Sequence, residues 1–254
     1  MAPTEWVIDG LPEETQQHLH AYVKETCAVY GDALDGILLY GSAVRGEFMA
    51  GRSNLNLVLV LKANTRESLS KYGRLHRRWA KEQVVVPLFL TQADLQAASR
   101  VFPLEYVELQ EHHRLLWGQD PFVGFKVDQQ HLMSEVLQGL RGNLLRLRQR
   151  YVEGGGTEEA VTILLPLSIT ALIPVLRGVQ RLLGLPLTAQ SETVLTTVAS
   201  HLGVDDAGLR DALLLKRGQI TPGQKEIPRL FDRYLEAVER VVTAAEAALF
   251  QRVP

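Results

Sequence analysis

The residues with the clearest chemical reading lie in one stretch, LLYGSAVRGEFMAGRSNLNLVLVL, from Leu38 to Leu61. An apolar run ends in Gly41-Ser42, a loop follows, and a second apolar run opens after Ser53 with Asn54-Leu55-Asn56. Glycine at a strand end lets the backbone approach a ligand closely, and amides at the start of the next helical turn face oxygen anions. Gly41 and Ser42 are therefore read as a cradle for phosphate oxygens that needs no metal, with Arg45 as a cation within reach. The plainer reading is a turn that caps the next helix. Residues two apart on a strand share a face, so Asn54 and Asn56 point together while Leu55, Leu57 and Leu59 point into the core. Further on, FPLEYVELQEHHRLLWGQDPF (Phe102 to Phe122) offers Glu105 and Glu108 as bases toward a hydroxyl. His112 and His113 are adjacent, so they point apart and make a poor chelate.

These residues need a scaffold, and the hydrophobic periodicity supplies one. Up to about residue 125, β-rich runs alternate with amphipathic stretches; beyond Asp128 almost everything has helical period. The first half predicts a helix over Glu13 to Tyr30 and strands over Asp35 to Tyr40 and Asn54 to Lys62. A basic helix over Thr65 to Lys81 follows, then a strand over Val84 to Leu90 in which Pro87 removes a ladder donor and favours an edge. Thr91 with Asp94 offers a form of capping box for a helix to Ser99, and a short strand is expected near Leu104 to Leu109. In the second half, Asp128 is an N-cap for a helix that stops at Gly154-Gly155-Gly156. Helices are expected over Glu158 to Leu183, Glu192 to Leu202, Asp206 to Arg217 and Pro228 to Val253, forming a bundle with short connections.

Composition sets the outer bounds. The chain has 254 residues, 46% hydrophobic and 22% charged, with a formal net charge of -2, which excludes disorder over most of it and any global field toward nucleic acid. Cys27 is the single cysteine, so an intrachain disulfide and a multi-thiolate metal cage are excluded. MAPTEWVIDGLPEETQ has no basic and apolar leader pattern, so the cytoplasm is the expected location. The apolar run Val161 to Leu176 is interrupted by Pro166 and Pro174 and stops short of the ~20 residues a membrane span needs, so it is read as a kinked core helix. Two basic stretches stand out: Lys71 to Lys81, which interleaves Tyr72 and Trp79, and the Arg141, Arg146, Arg148, Arg150 series. Both are read as solvated helix faces rather than nucleic-acid surfaces.

The arrangement of Gly41, Ser42, Arg45, Gly46 and Ser53 between two strands resembles the nucleotidyltransferase superfamily related to polymerase beta. There a strand ends in Gly-Ser, and a following strand carries Asp-x-Asp after a Ser. The helical second half is similar in architecture to the substrate-side domain of aminoglycoside (kanamycin-type) nucleotidyltransferases. The resemblance implies a nucleotide-binding set of Gly41, Ser42, Arg45 and Ser53, and it places Asn54 and Asn56 where two acids would hold magnesium ions against a triphosphate. Both carboxylates are missing, and a neutral amide oxygen is a poor magnesium ligand. The third acid of the superfamily sits on a later strand, and Val84 to Leu90 contains none.

The expected fold is therefore α+β: a nucleotidyltransferase-like mixed sheet with flanking helices over residues 1–125, then an all-α helical bundle over 126–254. The expected function is a catalytically impaired pseudo-enzyme, with no catalytic residue at the degenerate positions Asn54 and Asn56. It would keep the Gly-Ser loop for a nucleoside triphosphate and serve a sensing or partner-binding role. One alternative is an active enzyme that moves a nucleoside monophosphate to a hydroxylated or aminoglycoside-like acceptor with displaced acids; only then is magnesium a cofactor. Another is an interaction module that binds a protein or a second copy of itself and no nucleotide. Neither nucleic acid nor a membrane is an expected partner.

Overall fold

A computed structural model describes residues 6–251, and the chain divides into two compact units, Met1–Val127 and Asp128–Pro254. In the first, helix α1 (Glu13–Tyr30) opens with Glu13 and Glu14, whose charges suit the positive end of a helix. Strand β1 (Leu34–Tyr40) follows, then a 3-10 turn at Gly41–Ala43, a loop, and strand β2 (Asn56–Leu61). Helix α2 (Arg66–Trp79), strand β3 (Leu88–Leu90), helices α3 (Gln92–Ala98) and α4 (Pro103–Glu111) and strand β4 (His113–Gly118) complete the unit. The sheet order is β3-β2-β1-β4, with β1 antiparallel to β2 and β4 and β2 parallel to β3.

The two central strands read as continuous apolar runs because both sheet faces are covered. Ile37, Leu39, Leu57 and Leu59 pack with Tyr22, Tyr72 and Trp79 of α1 and α2. On the opposite face Leu38, Val58 and Val60 meet Leu95, Tyr106 and Leu109 of α3 and α4. Each fully buried leucine of this kind contributes about 1.5–3 kcal/mol. The capping box at Thr91 forms in full: Thr91 accepts from the Asp94 amide, and Asp94 accepts from the Thr91 amide at 2.9 Å. The bonds from Thr91 and Asn64 hold the Asp94 carboxyl below its ordinary range.

Two expectations are corrected here. Leu104 to Leu109 is not a strand but the body of α4. Pro103 stands in its first turn, where a missing N–H costs nothing, and Leu104, Tyr106, Val107 and Leu109 are buried with helical spacing. The strand lies just beyond, as β4. The strand expected over Val84 to Leu90 is reduced to Leu88–Leu90, preceded by one bridge between Leu55 and Val84. Pro87 cannot donate to a ladder, and β3 lies at the sheet edge as that proline predicts.

The second unit contains helices α5 (Gln129–Glu153), α6 (Glu158–Leu183), α7 (Ser191–Leu202), α8 (Ala207–Arg217) and α9 (Ile227–Phe250). Asp128 caps α5, accepting from the amides of Gln130 and His131 at 2.8 and 3.0 Å. Helix α6 packs against the other four, and the hydroxyl of Tyr234 on α9, its pKa pushed up by burial, donates to Ser168 at 2.9 Å. The Val161 to Leu176 run, expected as a core helix, lies within α6, which contains both Pro166 and Pro174. By length and composition α6, 26 residues long, is apolar enough to cross a membrane, and 44% of its most apolar 18-residue window is buried within the protein. Gly208 permits the contact of α8 with α9: a Cβ there would stand 2.4 Å from the Arg233 carbonyl oxygen. Val253, the expected end of the last helix, lies outside the described residues, as do the first five residues of the segment on which the leader reading rests.

Candidate functional site

The site is built where β1 runs out. Tyr40 is still extended, and Gly41 then takes φ +83°, a left-handed conformation that strains any other L-residue. The amides of Val44 and Arg45 both donate to the Gly41 carbonyl, at 3.1 and 3.2 Å, and the Glu47 amide donates to the Ser42 carbonyl at 3.0 Å. The Ser42 side chain is half-buried, and its hydroxyl has no hydrogen bond among the described residues. Arg45 lies 3.6 Å from the Glu47 carboxylate, with both side chains mostly covered.

Opposite this turn stands β2. Tyr40 pairs with Asn56 in the antiparallel register, and a Cβ on Gly41 would meet the Asn56 amide nitrogen at 2.9 Å. Glycine thus lets the Asn56 side chain lie directly against the turn. That amide nitrogen also approaches the Asn54 carbonyl at 3.5 Å, and Asn54 is itself exposed. Ser53 closes the intervening loop: its hydroxyl accepts from the Met49 amide at 2.9 Å, and its own amide donates to the Met49 carbonyl at 2.8 Å. Of the sequence-predicted residues, Gly41 and Asn56 are in contact, Ser42 and Arg45 share the turn with them, and Ser53 supports the loop.

By strand alternation Asn56 shares the face of Val58 and Val60. On that face β3 offers Leu88 beside Val58, and no acid. Magnesium requires hard, usually charged oxygen ligands. Two neutral amides and an apolar neighbouring strand therefore do not fit a pair of magnesium ions at this place.

Acids do stand on the other side. His113 of β4 pairs with Tyr40, so Asn56, Tyr40 and His113 form a row across three strands. The His113 ring lies between the Leu109 carbonyl, 2.7 Å from Nδ1, and the Asp120 carboxylate, 3.1 Å from Nε2. Asp120 in turn accepts from the Phe122 amide at 2.8 Å. Burial pushes the Tyr40 hydroxyl above its ordinary pKa, and the charge of Glu105 on α4 adds to the shift. His113 thus ends the row, and the charge of Glu105 acts on its central Tyr40. Glu108 and His112 group with Glu111 at the end of α4, where their ligand atoms lie within 4.8 Å of one another. Asp120 is not among the residues singled out from the sequence; its signal there is the Gly118-Gln119-Asp120 order, which places a carboxylate just past the end of β4.

The basic helix presents no stacking surface. Tyr72 and Trp79 are buried in the core, Lys71 pairs with Glu67 at 3.4 Å, and Arg78 pairs with Glu25 at 3.2 Å.

Sheet order, strand-end turn and following helical unit together define the nucleotidyltransferase fold, an α+β domain followed by a helical domain. Among solved structures, spectinomycin adenyltransferase AAD(9) from Enterococcus faecialis, solved with ATP and spectinomycin, is similar to this chain. It aligns at a TM-score of 0.55 and 11% sequence identity, over 89% of this chain and 98% of that chain. At that identity the likeness shows the fold. No family model matches the sequence, and no curated protein matches it.

Proposed function

We propose that this protein is a nucleotide-binding pseudo-enzyme: a nucleotidyltransferase fold that receives a nucleoside triphosphate at the Gly41-Ser42 turn and no longer carries out metal-dependent transfer. One observation carries the reading: the neutral Asn56 amide lies against the Gly41 turn, where the superfamily resemblance calls for a carboxylate. An acid there would repel a triphosphate unless a cation stood between them, by about 1–4 kcal/mol at 4 Å depending on local dielectric. An amide removes that repulsion and can donate to a phosphate oxygen, so binding becomes independent of magnesium. The unpartnered Ser42 hydroxyl supplies a second donor, and Arg45 would exchange part of its Glu47 contact for phosphate. The ATP in the AAD(9) structure makes ATP the first nucleotide to try. With transfer lost, occupancy of the site is itself the signal, read by a protein partner or a second copy of the chain.

The test is calorimetric titration of ATP and of GTP, each with and without magnesium. Saturable binding that magnesium changes by less than about threefold supports the proposal. Binding that requires magnesium, or transfer of labelled AMP to spectinomycin or another hydroxylated acceptor, overturns it. Absence of binding in every condition overturns it in favour of an interaction module. The charge of Glu105, felt at Tyr40, favours a second reading, an active enzyme with a displaced acid. Under that reading Glu105→Gln would abolish a measurable transfer; under the first there is no transfer to abolish.

A further inference from the structure

Helix α5 carries four arginines that divide into two kinds. Arg141 is hydrogen-bonded to Glu246, and Arg148 reaches Glu239 at 2.7 Å, so both are neutralised by α9. Arg146 and Arg150 are exposed and have no ion-pair partner among the described residues. They are four residues apart, so two like charges stand on adjacent turns of one face, an arrangement that destabilises a helix unless an anion intervenes. Both border a cavity of about 250 Å³ between α5 and α6, whose other walls include Asn143, Leu164, Leu167 and Ser168. Two further details orient polar groups at this cavity. Gly142 leaves room for the Arg146 guanidinium, whose nitrogens lie 3.2 and 3.3 Å from where a Cβ would be. The Ser168 oxygen accepts from Tyr234 at 2.9 Å, and the Ser168 proton has no acceptor among the described residues.

We propose that this groove binds a small organic oxyanion with an apolar body. The carboxylate or phosphate head lies between Arg146 and Arg150 and accepts from Ser168, and the body covers Leu164 and the half-exposed Leu167. Guanidinium groups suit the planar or tetrahedral oxygens of such a head. Two leucines beside them select against a bare inorganic ion, which would leave that surface wet. The site lies wholly within the helical unit and is independent of the proposed nucleotide site.

The probe is octanoate, titrated into the isotope-labelled full-length protein and followed by amide chemical shifts, with inorganic phosphate and octylamine as comparisons. The expected result is saturable shifts confined to residues 143–150 and 164–171, with phosphate weaker by about tenfold or more and octylamine without effect. Arg146→Gln combined with Arg150→Gln is expected to weaken octanoate by about tenfold or more without lowering the melting temperature, because both side chains are exposed and their mutual repulsion is removed. Gly142→Ala, which intrudes on the Arg146 guanidinium, is expected to weaken it less. No saturable shift, equal binding of octylamine, equal binding of phosphate, or affinity in the double variant within about twofold of the parent would each overturn the proposal.

Discussion

Replacing Gly41 by alanine tests the strand-end turn on which the functional reading rests. At φ +83° an L-residue stands in left-handed backbone, a cost of about 1–2 kcal/mol. The new methyl group would also lie 2.9 Å from the Asn56 amide nitrogen, well inside ordinary contact. Asn56 is flexible and its 3.5 Å approach to the Asn54 carbonyl is weak, so the amide can swing away at a cost of about 0.5–1 kcal/mol. Urea unfolding should therefore show Gly41→Ala less stable by about 1.5–3 kcal/mol with an unchanged m-value. Asn56→Ala removes the steric part and leaves the backbone part. In a double-mutant cycle Gly41→Ala should then cost about 0.5–1 kcal/mol less in the Asn56→Ala background than in the parent. ATP affinity should fall in both alanine variants, because each alters the surface that faces the phosphates. Stability of Gly41→Ala within about 0.3 kcal/mol of the parent, or strict additivity in the cycle, would refute the claimed geometry.

Three more predictions follow from particular contacts. Asn54→Asp with Asn56→Asp places two carboxylates at the strand end, so calorimetry should find ATP binding weakened by about tenfold without magnesium and recovered with it; unchanged affinity without magnesium would count against the site. Tyr30 donates to the Ser68 carbonyl at 2.9 Å, and burial first, then the nearby Tyr72, raise its pKa to about 12. The neutral folded form is thus favoured, so its contribution is whole below the ordinary pKa near 10 and is lost as pH rises from about 10 to about 12. The melting-temperature gap between the parent and Tyr30→Phe should narrow across that window, and a constant gap would contradict it. Gly208→Ala would force a methyl within 2.4 Å of the Arg233 carbonyl, so α8 and α9 must part; the expected loss is about 1–3 kcal/mol by urea unfolding, and a stabilised variant, as a plain helix-propensity argument predicts, would refute the close crossing.

Much of this was legible because it is local. Thr91 and Asp94 meet within one helical turn, Asp128 caps the helix it precedes, and Pro87 bars its segment from a sheet centre by its own covalent structure. The spacing of Gly41, Ser42 and the Asn54-Asn56 pair likewise needed nothing beyond strand alternation. Sequence pattern and structure part where local cues are balanced. Leu104 to Leu109 holds β-prone and helix-prone residues alike, and burial against the sheet settled it as helix; the HRLLWG segment that became β4 has no clean alternation, and β1 made it a strand by offering a free edge.

By itself the sequence determined that no carboxylate stands at positions 54 and 56, that β1 must end in a glycine able to turn, and that the chain passes from mixed sheet to helices near residue 128. Composition and covalent geometry suffice for such statements. Only the tertiary structure decided that the Asn56 amide rests on Gly41, that His113 and Asp120 join at the far end of the same row, and that two of the four arginines of α5 have no acid partner among the described residues. Those facts depend on which segments pair across the sheet and which helices meet, and pairing is set by the packing of the whole core, not by any one stretch of the chain.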